Sequence, residues 1–102
     1  MQIETIHREI DDFIKNLEPE VQARVLRTLD LLESYNYKLG LPYSKSLRDA
    51  LFELRITGKK HIRIIYCFHG GRIYLLHAFV KKQNKILKKD LDLAKKRFSL
   101  LI

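Results

Sequence analysis

From Leu51 to Phe79 apolar side chains recur at every second residue, and the run breaks only at Gly58-Lys59-Lys60 and at Gly70-Gly71. Breaks this short reverse the chain, because a parallel connection needs a dozen residues or more. The segment therefore predicts three antiparallel strands, Leu51–Ile56, Ile62–Phe68 and Arg72–Phe79. In the first, Phe52, Leu54 and Ile56 share one face and Glu53 and Arg55 the other. In the second, Ile62, Ile64, Tyr66 and Phe68 form the buried face. Gly70-Gly71 suits a tight hairpin.

The preceding half has a different period. Ile6, Ile10, Phe13, Ile14 and Leu17 recur on one helix face, with Thr5 as the expected N-cap. Pro19 starts a second helix, where its missing N–H costs nothing, and Val21, Val25, Leu29 and Leu32 form its stripe. The short link at Leu17–Pro19 implies a helical hairpin. Gly40 and Pro42 end this half. After the strands, a basic loop (Lys81-Lys82-Gln83-Asn84-Lys85) leads to a last helix with the stripe Leu87, Leu91, Ala94 and Phe98. The expected architecture is α+β: an N-terminal helical hairpin and a C-terminal helix packed on a small antiparallel β-sheet.

At 102 residues the chain has the size of one domain, 1–102, with no repeat or linker to divide it. No apolar run approaches the ~18 residues of a membrane span, and Met1-Gln2-Ile3-Glu4 carries acid where a secretory signal carries base. With one cysteine, Cys67, no internal disulfide forms. A cytoplasmic protein with no membrane partner is expected.

The net charge of +8 is lopsided. Residues 1–40 hold five Lys/Arg against eight Asp/Glu, net −3. Residues 41–102 hold fifteen against four, net +11. Such a split suits either a polyanion site on one face or a solvated basic surface. The hairpins add geometry. Arg55 at the end of the first strand, His61 and Arg63 at the start of the second, and Lys81 just past the third fall at one end of the sheet. A turn centred near Gly58–Lys59 makes Arg55 and Arg63 close cross-strand neighbours, with Glu53 one pair further along and Lys59, Lys60, Lys81 and Lys82 at the rim.

Adjacent arginines repel unless an anion separates them. One reading is structural, with Glu53 pairing with Arg55 or Arg63. The other is a phosphate site, where arginine offers a bidentate fork and lysine a point charge. RNA brings its own nucleophile, the 2′-OH, so such a site needs alignment, charge stabilisation and a proton carrier. Glu53, His61, His77 and a lysine depressed by neighbouring charges are the candidate carriers. His7, His61, His69 and His77 lack metal-ligand spacing, and neither a metal nor another cofactor is expected. His77 alternates onto the apolar side of its strand and reads as a buried, hydrogen-bonded residue. Cys67 reads as packing.

The ordered set Leu47, Leu51-Phe52-Glu53-Leu54-Arg55, Arg63-Ile64-Ile65-Tyr66, Leu76-His77-Ala78-Phe79-Val80-Lys81-Lys82, Asp90 and Ala94-Lys95-Lys96-Arg97 resembles HigB-like toxins of the RelE/ParE superfamily. The resemblance implies a metal-independent, ribosome-dependent mRNA endonuclease that inhibits translation. Its partners would be the ribosome, mRNA and a neutralising antitoxin with a helix-turn-helix (HigA-like) domain. The family's catalytic positions map onto Arg55, Arg63, Lys81 and Lys82, with Glu53 beside them. Lys45, Arg48, Lys59, Lys60, His61 and Lys85 are the further residues expected to contact RNA. The superfamily leaves two alternatives open, a non-enzymatic ParE-like gyrase inhibitor and a catalytically degenerate antitoxin-binding module.

Overall fold

The computed structural model describes residues 1–102. The elements run β1 (Ile3–Thr5), α1 (Arg8–Lys15), α2 (Pro19–Tyr35), a short 3-10 turn (Asn36–Lys38), β2 (Ser44–Ser46), β3 (Phe52–Ile56), β4 (Ile62–His69), β5 (Arg72–Val80) and α3 (Lys88–Ser99). The expected α+β class and three-strand meander are present, but the sheet is larger and mixed. Its order is β1-β5-β4-β3-β2, with β1 parallel to β5 and β2 antiparallel to β3. The expectation of a purely antiparallel sheet is corrected at β1. The connection from β1 to β5 spans both helices and the meander, long enough to bring a strand back in parallel.

Pairing of β1 also moves the start of α1. Thr5 lies in β1, where its hydroxyl donates to Asp11 Oδ2 at 2.8 Å. The N-cap is His7, whose Nδ1 accepts from the Glu9 amide at 3.0 Å. Pro19 occupies the first turn of α2 as expected.

Both sheet faces are covered. On one, α1 and α2 bring Ile10, Val21, Val25 and Leu32 onto Leu54, Ile56, Ile62, Ile64, Tyr66, Ile73 and Leu75. On the other, α3 brings Ala94, with Leu91 and Phe98 partly buried, onto Leu51, Ile65, Cys67 and Leu76. Each fully buried aliphatic side chain stabilises the fold by roughly 1.5–3 kcal/mol before entropy is counted. The strand face that carries Glu53, Arg55 and Arg63 therefore looks into a second core and not simply into water.

A register shift interrupts the β4–β5 ladder. Ile65 pairs with His77 while Tyr66 pairs with Leu75, so Leu76 is the extra residue of a β-bulge. The bulge resets the alternation. Ile73 and Leu75 face α1 and α2, while Leu76, His77 and Phe79 turn toward α3. His77 is buried and hydrogen-bonded, as its pattern predicted, but on the opposite side from the one that strict alternation assigns.

Cys67 is fully buried, and its thiol is pushed up to about 11 by that burial, against a smaller opposing hydrogen bond with the Tyr74 backbone. The thiolate is the reactive species. The folded protein is therefore expected to resist a disulfide-exchange reagent at about pH 8 and to react only in denaturant. Stoichiometric labelling of the native protein within minutes would contradict this placement.

Candidate functional site

The register of the first hairpin sets Arg55 directly opposite Arg63. Glu53 precedes Arg55 by two residues, so the three side chains share one face. Lys45 on β2 stands directly opposite Glu53 on its other side. The Glu53 carboxylate is 1% exposed and lies among these cations. Arg55 Nε donates to Glu53 Oε1 at 2.8 Å. Arg63 Nε stands 3.7 Å from Oε2, an ion-pair contact longer than a hydrogen bond, and neither atom has another protein partner. The structural reading of the sequence is the one the fold displays. Glu53 pairs with the arginines, and one positive charge remains over.

Arg63 is nearly as buried as Glu53 and donates Nη1 to the Ile62 carbonyl at 3.0 Å. Burial lowers its pKa, Glu53 opposes that shift and Arg55 adds to it. Arginine stays charged regardless, so the perturbation is a cost in stability. Arg55 is more open and keeps its terminal nitrogens free of protein acceptors.

Two basic hollows meet beside this triad. The larger, about 670 Å³, is lined by Lys45, Arg48, Glu53, Arg55, Lys81, Lys85 and Lys95 over an apolar floor of Leu47, Leu51, Ile86 and Leu91. The second, about 350 Å³, is lined only by His61, Arg63, Lys81, Lys82, Gln83 and Asn84. Lys81 and Asn84 border both. The Lys81 amide donates to the His61 carbonyl at 2.8 Å, which closes the β4–β5 end and fixes the lysine beside Arg63.

All five expected catalytic positions, Glu53, Arg55, Arg63, Lys81 and Lys82, therefore line these two hollows, as do Lys45, Arg48, His61 and Lys85. Lys59 and Lys60 do not. They line a separate small depression with Glu18, Glu20 and Arg24 on the α2 side, because the turn carries them off the end of the sheet. Lys95 was missed. It belongs to α3, pairs with Asp49 at 3.5 Å and reaches the larger hollow. Its signal in the sequence is the i+4 step from Leu91, an apolar residue at the floor.

The candidate proton carriers separate by environment. The carboxylate of Glu53 is committed to two arginines. His77 hydrogen-bonds Asp90 at 2.8 Å and lines neither hollow. His61 is exposed and lines the smaller one, beside Arg63 and Lys81.

The strip between β2 and β3 completes the rim. Asp49 and Ala50 adopt positive φ of 60° and 64° in a turn closed by the Leu47 amide on the Leu51 carbonyl at 2.8 Å. For alanine this conformation costs on the order of 1 kcal/mol. The turn sets Arg48 in the lining of the larger hollow and Asp49 against Lys95.

No helix is long and apolar enough to cross a membrane. Comparison with individual curated proteins finds no match. A family model described as "Phage derived protein Gp49-like (DUF891)" matches residues 12–99, a span from α1 to the end of α3 that contains every residue of both hollows. The chain belongs to this Gp49-like family, a toxin-like family related to the RelE/ParE toxins.

Proposed function

We propose that the chain is the toxin of a toxin–antitoxin pair, of the HigB-like kind, and that it cuts mRNA on the ribosome without a metal ion until a helix-turn-helix antitoxin neutralises it. One observation carries the reading: a cross-strand arginine pair, partly neutralised by Glu53, opens beside Lys81 onto two joined cationic hollows. Family membership supports the toxin class.

The chemistry follows from the residues. The substrate's 2′-oxygen attacks the adjacent phosphorus as its proton leaves. The bond to the 5′-oxygen then breaks and that oxygen takes up a proton, leaving a cyclic phosphate and a 5′-hydroxyl. Arg55 and Lys81 stabilise charge on the phosphate oxygens, and Arg63 holds the pair in place from its buried position. Lys82 extends the grip on the backbone. His61, the imidazole that opens on the hollow, carries the proton. Glu53 acts as counter-ion to the arginines and not as the base.

Expression of the chain alone is expected to arrest growth and leave ribosome-associated messages cut. Lys81→Met, a change at a half-buried cation with no ion-pair partner, should abolish both. Mapping message ends in the two cultures checks this. Full toxicity of Lys81→Met with message cleavage unchanged would overturn the proposed site. A DNA-damage response with messages intact would instead assign the chain to gyrase inhibition.

A further inference from the structure

On the α2 side of Arg55, a groove of about 490 Å³ runs between α2 and β3. Its α2 wall is formed by Glu20, Ala23, Arg24, Arg27, Thr28 and Leu31. These positions step by three or four residues along one helix face, so the wall extends for roughly 16 Å. Ile56, Thr57 and Tyr43 form the opposite side, and Tyr43 is 43% exposed. Arg55 lines this groove as well as the larger basic hollow.

The charge here runs against its surroundings. Residues 1–40 carry a net charge of −3, yet Arg24 and Arg27 both stand in this groove, against one carboxylate, Glu20. Arg24 is held in place. Its Nη1 donates to the Thr57 carbonyl at 3.1 Å, and the guanidinium lies over Gly58, where a Cβ would come within 2.6 Å of Nη1. Glycine at this turn, with φ of 146°, therefore makes room for the arginine. Arg27 is exposed and has no ion-pair partner.

We propose that this groove is the docking site of an acidic, amphipathic protein segment, which reaches the nuclease site through Arg55. The inference rests on the toxin reading, and the segment would belong to the neutralising partner. A track of aliphatic and aromatic groups interleaved with two arginines matches a peptide with acid on one edge and apolar groups on the other. A nucleic acid backbone would make no use of the accessible Ala23 and Leu31. Occupancy shifts charge at Arg55 and so weakens the phosphate grip without filling the basic hollows.

The test uses the full chain and a labelled peptide of about four helical turns built from Glu, Ala and Leu with its acids on one face, read by fluorescence anisotropy. Charge reversal by Arg27→Glu is expected to weaken peptide binding about tenfold or more. Reversal in the basic hollow by Lys85→Glu is expected to change it less than about twofold. The opposite ranking would place the peptide in the hollow and overturn the proposal, as would no binding to the unaltered chain. A labelled single-stranded RNA is measured in parallel. If Arg27→Glu weakens RNA and peptide alike, the groove belongs to RNA and the proposal falls. None of these readings needs cleavage, so their failure is separate from that of the nuclease site, which the Lys81→Met culture decides.

Discussion

Replacing Glu53 by alanine is expected to lower the unfolding free energy by about 3–5 kcal/mol, the usual cost of removing one member of a buried ion pair. The carboxylate is 1% exposed and is the only acid among Lys45, Arg55 and Arg63 on that face. Without it Arg63, itself 8% exposed, keeps its charge in a desolvated site and faces Arg55 across the ladder with nothing between them. The domain's total stability is on the order of 5–15 kcal/mol, so the loss takes a large share of it. Urea titration followed by circular dichroism reads the effect as a lowered midpoint at unchanged slope. Glu53→Gln should recover little, since it fills the space but not the charge. Pairing Glu53→Leu with Arg63→Met should recover most of it, because apolar groups of similar volume replace a buried ion pair at little cost. A loss under about 1 kcal/mol for Glu53→Ala would mean that water already screens the triad.

This behaviour was half legible in the sequence. Turn length fixes hairpin register, and register fixes which residues face one another, so the Arg55–Arg63 opposition followed from the position of Gly58. The second core was harder to see. Glu53 and Arg63 stand on the face that alternation marks as polar, and only the packing of α3 buries them. The strands β1 and β2 have three residues each, too few for any period to show. Lys45 and Arg48 were expected to contact RNA with no strand to place them; the pairing of β2 sets Lys45 opposite Glu53, and the turn after it brings Arg48 to the same hollow. Lys59 and Lys60 were placed with the cluster because they adjoin it in sequence, but turn residues do not inherit the face of the strand beside them. The bulge at Leu76 has no signature, since an inserted leucine in an apolar run looks like any other. In the last helix, Leu87 was assigned to the apolar stripe and is instead the exposed N-cap residue. Asp90 and Arg97, polar by type, point inward.

That inward pair sets the largest expected effect outside the triad. Asp90, Ala94 and Arg97 lie at i, i+4 and i+7, one face of α3. Ala94 is fully buried and lets the helix approach the sheet closely. At the first turn, Asp90 Oδ1 accepts from His77 Nε2 at 2.8 Å, while His77 Nδ1 stays buried without a partner. Two turns on, Arg97 Nη1 donates to the Leu76 carbonyl at 2.9 Å and its Nη2 reaches Glu9 of α1 at 3.2 Å. The helix is thus fastened at both ends to the two consecutive residues of the β-bulge, and it carries Leu91 and Lys95 into the larger basic hollow. Asp90→Ala leaves both His77 nitrogens buried and unpaired, and Arg97→Ala strips the Leu76 carbonyl. Each should cost about 1–3 kcal/mol. The double variant should cost less than the sum, because releasing either end already loosens the same helix. Hydrogen exchange should speed up across Leu91–Phe98 before the rest of the fold responds, and RNA affinity should drop even though neither residue lines the larger hollow. Strict additivity of the two losses, with exchange in α3 unchanged by either, would show that apolar packing around Ala94 alone holds the helix and that the bulge serves only to bend β5.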